Sequence, residues 1–215
     1  EGDEITITDE IVLDKAQTKT VLFDKDGDQH YDIISAFIKS IRGSDPNAAV
    51  YWLARLIEGG EDVKFIARRL LILASEDIGN ANPTALVLAN NTFQAVAAIG
   101  YPEARIILSQ CVLYLATSPK SNASYLAIGK AQQIVDETGN LQVPLPLRNA
   151  ASKLMKDLDY GKGYQYAHDH DLNFAAQEFL PEEISKTRLY EPGQNTKEQA
   201  IRSFLKKRWE DKYGY

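Results

Sequence analysis

Residues 103–117 read EARIILSQCVLYLAT, and the run from Ile106 to Leu115 is the most apolar in the chain. With a helical period around it, this stretch predicts a helix at the centre of a core. Tyr101-Pro102 stands just before it. Proline opens helices well, because its ring fixes φ and its missing N–H is one the first turn leaves unpaired anyway. The same device at Asp45-Pro46 and Asn82-Pro83 predicts helix starts there, the second leading a helix over 83–98. Cys111 falls inside the apolar run and reads as a small core hydrophobe rather than a reactive thiol.

On both sides of this run, helices follow one another at short spacing. Asp28 is placed to cap a helix over about 30–42, with Tyr31, Ile34, Phe37, Ile38 and Ile41 as its apolar stripe and Gly43 as its stop. The helix after Asp45 carries Ala49, Trp52, Leu53 and Leu56 on one face and stops at Gly59-Gly60. The next, over 62–78, is apolar around much of its circumference and is expected to pack on two sides. A further helix, 122–138, ends at Gly139.

Beyond it the texture changes. Val143-Pro-Leu-Pro146 forbids regular helix, a shorter helix is expected over 149–157, and Tyr160-Gly-Lys-Gly-Tyr-Gln-Tyr166 follows. Turns and short extended pieces at 177–180 and 188–190 are expected before a last helix, 196–212, that buries Ile201, Phe204, Leu205 and Trp209. Residues 1–30 read as an entry segment with a short helix at 9–16, capped by Thr8, and an acidic turn. Alternation is nearly absent and no signature recurs at a fixed period, so the expected fold is all-α, a compact multi-helix domain rather than a solenoid.

The chain has 215 residues, 44% of them hydrophobic and 25% charged, enough for one sizeable core or two small ones. It opens on Glu1 with no leader-like stretch, which reads as an excised piece of a longer protein rather than a secreted precursor. No apolar run approaches the roughly 18 residues of a membrane span. The single cysteine cannot form an internal disulfide and fits a reducing cytoplasm. The net charge of −6 is concentrated in residues 1–30, which hold nine acids and three bases, while the remainder balances. A neutral body offers no global field for nucleic acid, so any DNA contact must be a local patch.

Each motif with the residue types for chemistry has a plainer reading. Asp24-Lys-Asp-Gly-Asp28 has carboxylates at positions one, three and five of a calcium loop. Gln29 and Ser35 stand where that loop needs glycine and a bidentate glutamate, so it reads as a solvated turn. Leu70–Leu73 followed by Glu76-Asp77 has the texture of a magnesium-holding strand end, but its context is helical. No G-x-x-x-x-G-K-[ST] loop occurs in the sequence, and Gly161-Lys-Gly163 is too short to be one, so this chain lacks a phosphate cradle and is not expected to hydrolyse ATP. His168-Asp-His-Asp171 clusters potential metal ligands without a third at a usual spacing and reads as a hydrated turn. Arg68-Arg69 and Lys206-Lys-Arg208 read as solvated helix faces. No catalytic, cofactor-binding or metal-binding residue is assigned.

The stretch 148–166 is the richest. Arg148, Lys153, Lys156 and Lys162 interleave with Tyr160, Tyr164 and Tyr166. Cations paired with rings are the ingredients of a single-strand nucleic-acid groove, and the same rings suit a subunit interface or plain packing. The sequence leaves all three open.

Several phrases in order go beyond generic helix. They begin with His30 to Pro46 (HYDIISAFIKSIRGSDP), Tyr51-Trp-Leu-Ala-Arg55, Phe65-Ile-Ala-Arg-Arg-Leu70 and Ala74-Ser-Glu-Asp-Ile-Gly79. Pro119-Lys-Ser-Asn122, Leu147-Arg-Asn-Ala150, Tyr160-Gly-Lys-Gly-Tyr164 and Tyr166-Ala-His-Asp169 continue them. Over about 24–212 the chain resembles the C-terminal half of the MgsA/RarA family, bacterial relatives of the Werner-helicase-interacting ATPase. The resemblance implies a replication-associated AAA+ ATPase related to clamp loaders, acting as a homotetramer at stalled forks on DNA with single-stranded regions. Single-strand-binding protein is a further expected partner. It implies that ATP and magnesium belong to an N-terminal module outside this sequence. Residues 1–42 would then end a lid-like helical segment, and 43–215 would form a collar-like oligomerisation domain.

Overall fold

The computed structural model describes residues 8–9 and 28–215. Among these, eight α-helices and several short 3₁₀ turns form the chain and no strand occurs. The fold is all-α. The expected helix at 9–16 and most of the acidic turn before residue 28 lie outside the described residues. The chain divides into two compact units, the first holding 28–74 and 84–118 and the second 75–83 and 119–215.

The first unit contains α1 (Asp28–Arg42), α2 (Pro46–Glu58), α3 (Val63–Leu73), α4 (Thr84–Ile99) and α5 (Ala104–Thr117). α1 buries Ile33, Ile34, Phe37, Ile38 and Ile41. Tyr31, expected in this stripe, points out of it and is 70% exposed, while Ile33 takes the inner position. Asp45 caps α2 as expected, its carboxylate accepting from the N–H groups of Asn47 at 3.0 Å and Ala48 at 2.9 Å. Asp62 does the same for Lys64 N–H at 3.1 Å in α3. α2 then buries Ala49, Leu53 and Leu56, and α3 buries Val63, Ile66, Ala67, Leu70 and Leu73.

α5 is the core helix that its sequence predicts. It packs against α1, α2, α3 and α4 and buries Leu108, Cys111, Val112, Leu115 and Ala116. The Tyr101-Pro102 bond is cis, and it lies in a turn before α5 rather than at its first position. α4 offers Ala85, Ala89, Thr92 and Val96, a seam of small residues at helical spacing that admits close neighbours. Fully buried side chains such as Phe37, Leu70, Leu108 and Leu115 each contribute about 1.5–3 kcal/mol relative to exposure. Burial pushes the Cys111 thiol up to about 11, a hydrogen bond from the Thr92 side chain pulling the other way. The thiol is thus a core group with little thiolate.

The second unit begins where α3 loosens into a π turn, Ala74–Ile78, and then a 3₁₀ turn, Gly79–Ala81. The helix expected to run on to 78 thus ends at Leu73. α6 (Ala123–Thr138) and α8 (Thr196–Tyr213) pack on the Gly79–Ala81 turn. Gly79 has φ +48, and a Cβ there would lie 3.1 Å from both Ser121 O and Ser124 Oγ, so this approach needs glycine. α6 stops at Gly139, whose φ of +65 and N–H to Val135 O at 2.9 Å close the helix.

Between α6 and α8 the chain is irregular, with α7 (Lys153–Asp157) its only α-helix. α7 is shorter than the expected 149–157, because Ser152 caps it by accepting from Met155 N–H at 3.2 Å. The extended pieces expected at 177–180 and 188–190 do not pair as strands. Instead Gln177 uses its side-chain amide like a neighbouring strand, accepting from Gln165 N–H at 3.1 Å and donating to Gln165 O at 2.7 Å. On α8, Ile201, Leu205 and Trp209 are half-buried, but Phe204 is 53% exposed, contrary to expectation. The Arg208 guanidinium covers its ring at 3.8 Å, so a cation rather than the core shields that face.

Candidate functional site

The seven residues singled out in 148–166 do not line one groove. Arg148 is spent on its own loop. It donates to Val143 O at 2.6 Å, to Gln142 Oε1 at 3.0 Å and to Tyr160 OH at 3.4 Å, and its guanidinium lies 5.2 Å from the Tyr160 ring centre. Gly161 completes this clasp. Its N–H reaches Leu145 O at 2.9 Å, and with φ +75 a Cβ would sit 3.3 Å from Arg148 O. Lys162 pairs with Asp159 at 3.0 Å on the open surface, where such pairs are worth little. Lys153 and Lys156 stand three apart on α7, exposed, and Tyr164 and Tyr166 are exposed as well. Of two hollows beside Arg148, one carries Glu178, Glu182 and Glu183 on its lining, a poor surround for phosphate, and the other is lined by Gln142, Val143, Leu147, Asn149 and Tyr160.

Of the other motifs, His168 packs its ring against Tyr166 at 5.2 Å. Among the described residues no three His, Cys, Asp or Glu side chains converge on a metal position, and no helix is long and apolar enough to cross a membrane. Two of the quoted phrases meet in space. Ser121 N–H donates to Asp77 O at 2.8 Å, and the Lys120 ammonium lies near the Asp77 carboxylate. Burial lowers the Lys120 pKa, and Asp77 partly restores it.

What sequence reasoning missed is the amount of apolar surface that the second unit leaves outside. From 149 to 173 no residue is buried, although the backbone is tied by successive turns at Lys156–Asp159, Asp159–Lys162 and Gly161–Tyr164. This arm displays Leu154, Leu158, Tyr164, Tyr166 and Leu172, the last 82% exposed. α6 behaves alike: Ala123 is its only buried residue, and Tyr125, Ile128 and Val135 share an exposed face. Helical periodicity flags an apolar face, but it does not say whether the same chain or another molecule covers it.

The irregular arm and the face of α6 thus both leave apolar side chains open to solvent. The family described as "MgsA AAA+ ATPase C terminal" matches residues 43–209, and the one described as "AAA C-terminal domain" matches 1–42. The chain belongs to the first, as a C-terminal region of MgsA-type AAA+ ATPases. It is 49% identical over 188 residues to replication-associated recombination protein A of Coxiella burnetii, covering 86% of this chain and 43% of that protein. It is 45% identical over 184 residues to the Escherichia coli K12 protein of the same name, covering 85% and 41%. It is 41% identical over 192 residues to the ATPase WRNIP1 of Dictyostelium discoideum, covering 86% and 22%. The chain thus spans less than half the length of these relatives.

Proposed function

We propose that this chain joins the subunits of a replication-associated AAA+ ATPase into a homotetramer. The parent protein would act at stalled forks in the bacterial cytoplasm, with its ATP- and magnesium-binding residues elsewhere in its length. The observation that carries this reading is the arm from 149 to 173, which has defined turns and no buried residue. Apolar side chains left in water forgo about 25 cal/mol per Å², and apolar patches with a polar rim mark association surfaces. Leu154 at 68% exposure and Leu158 at 55% are the arm's plainest anchors. Leu154→Asp and Leu158→Asp should leave the helical circular-dichroism signal intact while weakening assembly at least about tenfold in sedimentation velocity. Unchanged sedimentation in both variants contradicts a role for the arm.

A second reading is single-strand DNA contact. It is favoured by Lys153 and Lys156, which have no carboxylate partner among the described residues, and by the exposed rings of Tyr164 and Tyr166. It predicts weak anisotropy-detected binding of a labelled oligothymidylate that falls steeply with salt. Binding should weaken on Lys153→Ala or Tyr164→Ala, and its absence at low salt removes this reading.

A further inference from the structure

Within the first unit, α1 and α3 flank a groove of about 400 Å³. Ile34, Ile38 and Phe65 give it an apolar floor, with Tyr31 at the rim. The turn of α1 that sends Tyr31 outward is the departure from the expected stripe noted above. Three cations stand around this floor: Lys39 and Arg42 from α1 and Arg69 from α3. Among the described residues, no acidic side chain lines it. Lys39 and Arg69 have no carboxylate partner among the described residues, and the buried Arg69 Nε lacks a hydrogen-bond acceptor there. The neighbouring Arg68 is held 5.3 Å from the Phe65 ring centre, steadying the ring from the side.

A guanidinium with an unpaired, desolvated N–H favours an ionised acceptor, and Arg presents a fork suited to carboxylate. Two of the three floor side chains are isoleucines, and Arg68 lies over the Phe65 ring, so the floor favours an apolar side chain more than a stacked base, because base stacking uses free ring faces. We propose that this groove docks an acidic segment of a protein partner, with an apolar side chain set between α1 and α3 and its carboxylates on Arg69 and Lys39. The site uses residues of the first unit and none of the arm, and it stands whether or not the chain self-associates. It also gives the Arg69 half of Arg68-Arg69 a task that a solvated face does not have.

The test uses the full chain and a fluorescein-labelled peptide of alternating aspartate with leucine and phenylalanine. Anisotropy should rise on titration, and the affinity should fall with added salt. Arg69→Gln and Lys39→Gln should each weaken binding about tenfold. The same peptide with serine replacing its apolar residues should bind at least as weakly. Tyr31→Ser and Lys39→Gln alter exposed side chains and keep the test valid if Arg69→Gln impairs folding. Lack of peptide binding at low salt overturns the proposal, as does binding unaffected by every groove variant. So does preferential capture of an oligothymidylate through the same three residues, which would make the groove a nucleic-acid site.

Discussion

Glu198 is fully buried in the first turn of α8, a position from which a carboxylate organises its surroundings. Asn195 caps the helix by accepting from Glu198 N–H at 3.0 Å and donates its own amide to Glu198 Oε2 at 2.5 Å. Tyr190 OH reaches Oε1 at 3.4 Å and also bonds Asn80 in the 3₁₀ turn. The carboxylate gains further from the helix N-terminus. Gly193 leaves it room, since a Cβ there would lie 2.6 Å from Oε2. Glu198→Ala should cost about 2–4 kcal/mol, from the cavity and the two orphaned donors. Gly193→Ala should cost about 1–3 kcal/mol through overpacking. Urea unfolding checks both, and midpoints unmoved by either change would show that this cluster is not a fixed point of the second unit. Nothing in the sequence marked Glu198, because a buried acid is legible only once its donors are known.

At the scale of elements, α8 fastens the irregular chain through its last turns. Trp209 stands edge-on to Phe174 at 5.0 Å and to Phe179 at 6.1 Å. Lys212 pairs with Glu178 at 2.6 Å. Burial works against the ionised Glu178, but the Lys212 ammonium and the Leu180 and Phe179 N–H groups outweigh it and hold the carboxyl below its usual value. Lys212 is likewise opposed by burial, and its bonds to Glu178 and Tyr213 raise it. A lowered acid stabilises above its unfolded pKa of about 4.3 and loses that contribution as pH falls through the folded value; a raised lysine stabilises below about 10.4 and loses its share as pH rises past the folded value. With Glu178 38% exposed, the gain is below about 1 kcal/mol. Melting temperatures of wild type and Glu178→Gln should therefore differ most between about pH 5 and 10 and converge at both extremes. A gap that stays constant across pH would contradict the pairing.

The elements themselves were largely legible. Asp45-Pro46, Gly43 and Gly139 are local signals whose meaning needs no tertiary contact, and helices start or stop beside each of them. Tyr31 and Phe204 were not, because each lies at the margin of an apolar stripe, where only neighbouring elements decide which way a ring turns. The release of α3 into a π turn at Ala74 was equally hidden, as the apolar pattern continues through Ile78.

At the scale of the whole molecule, apolar character tracks burial on the inner face of α5, which leaves Ile106 and Leu113 exposed, but not in α6 or the arm. Leu108 and Leu115 are enclosed, whereas Ile128, Leu154 and Leu172 are open. Composition cannot separate these groups, since both are leucines and isoleucines at ordinary spacing. The same limit applies to the candidate site. Interleaved cations and tyrosines over 148–166 were plain in the sequence, but Arg148 and Tyr160 bind each other and their loop, and only space could show it. A chain with its acidity concentrated in residues 1–30 and a neutral remainder suits association of like subunits better than broad DNA binding. The most direct test is its mass in solution, by light scattering coupled to size exclusion at micromolar concentration. A homotetramer gives a species about four times the 24.0 kDa chain; a 24.0 kDa species alone, persisting to high micromolar concentration, would contradict the proposed assembly.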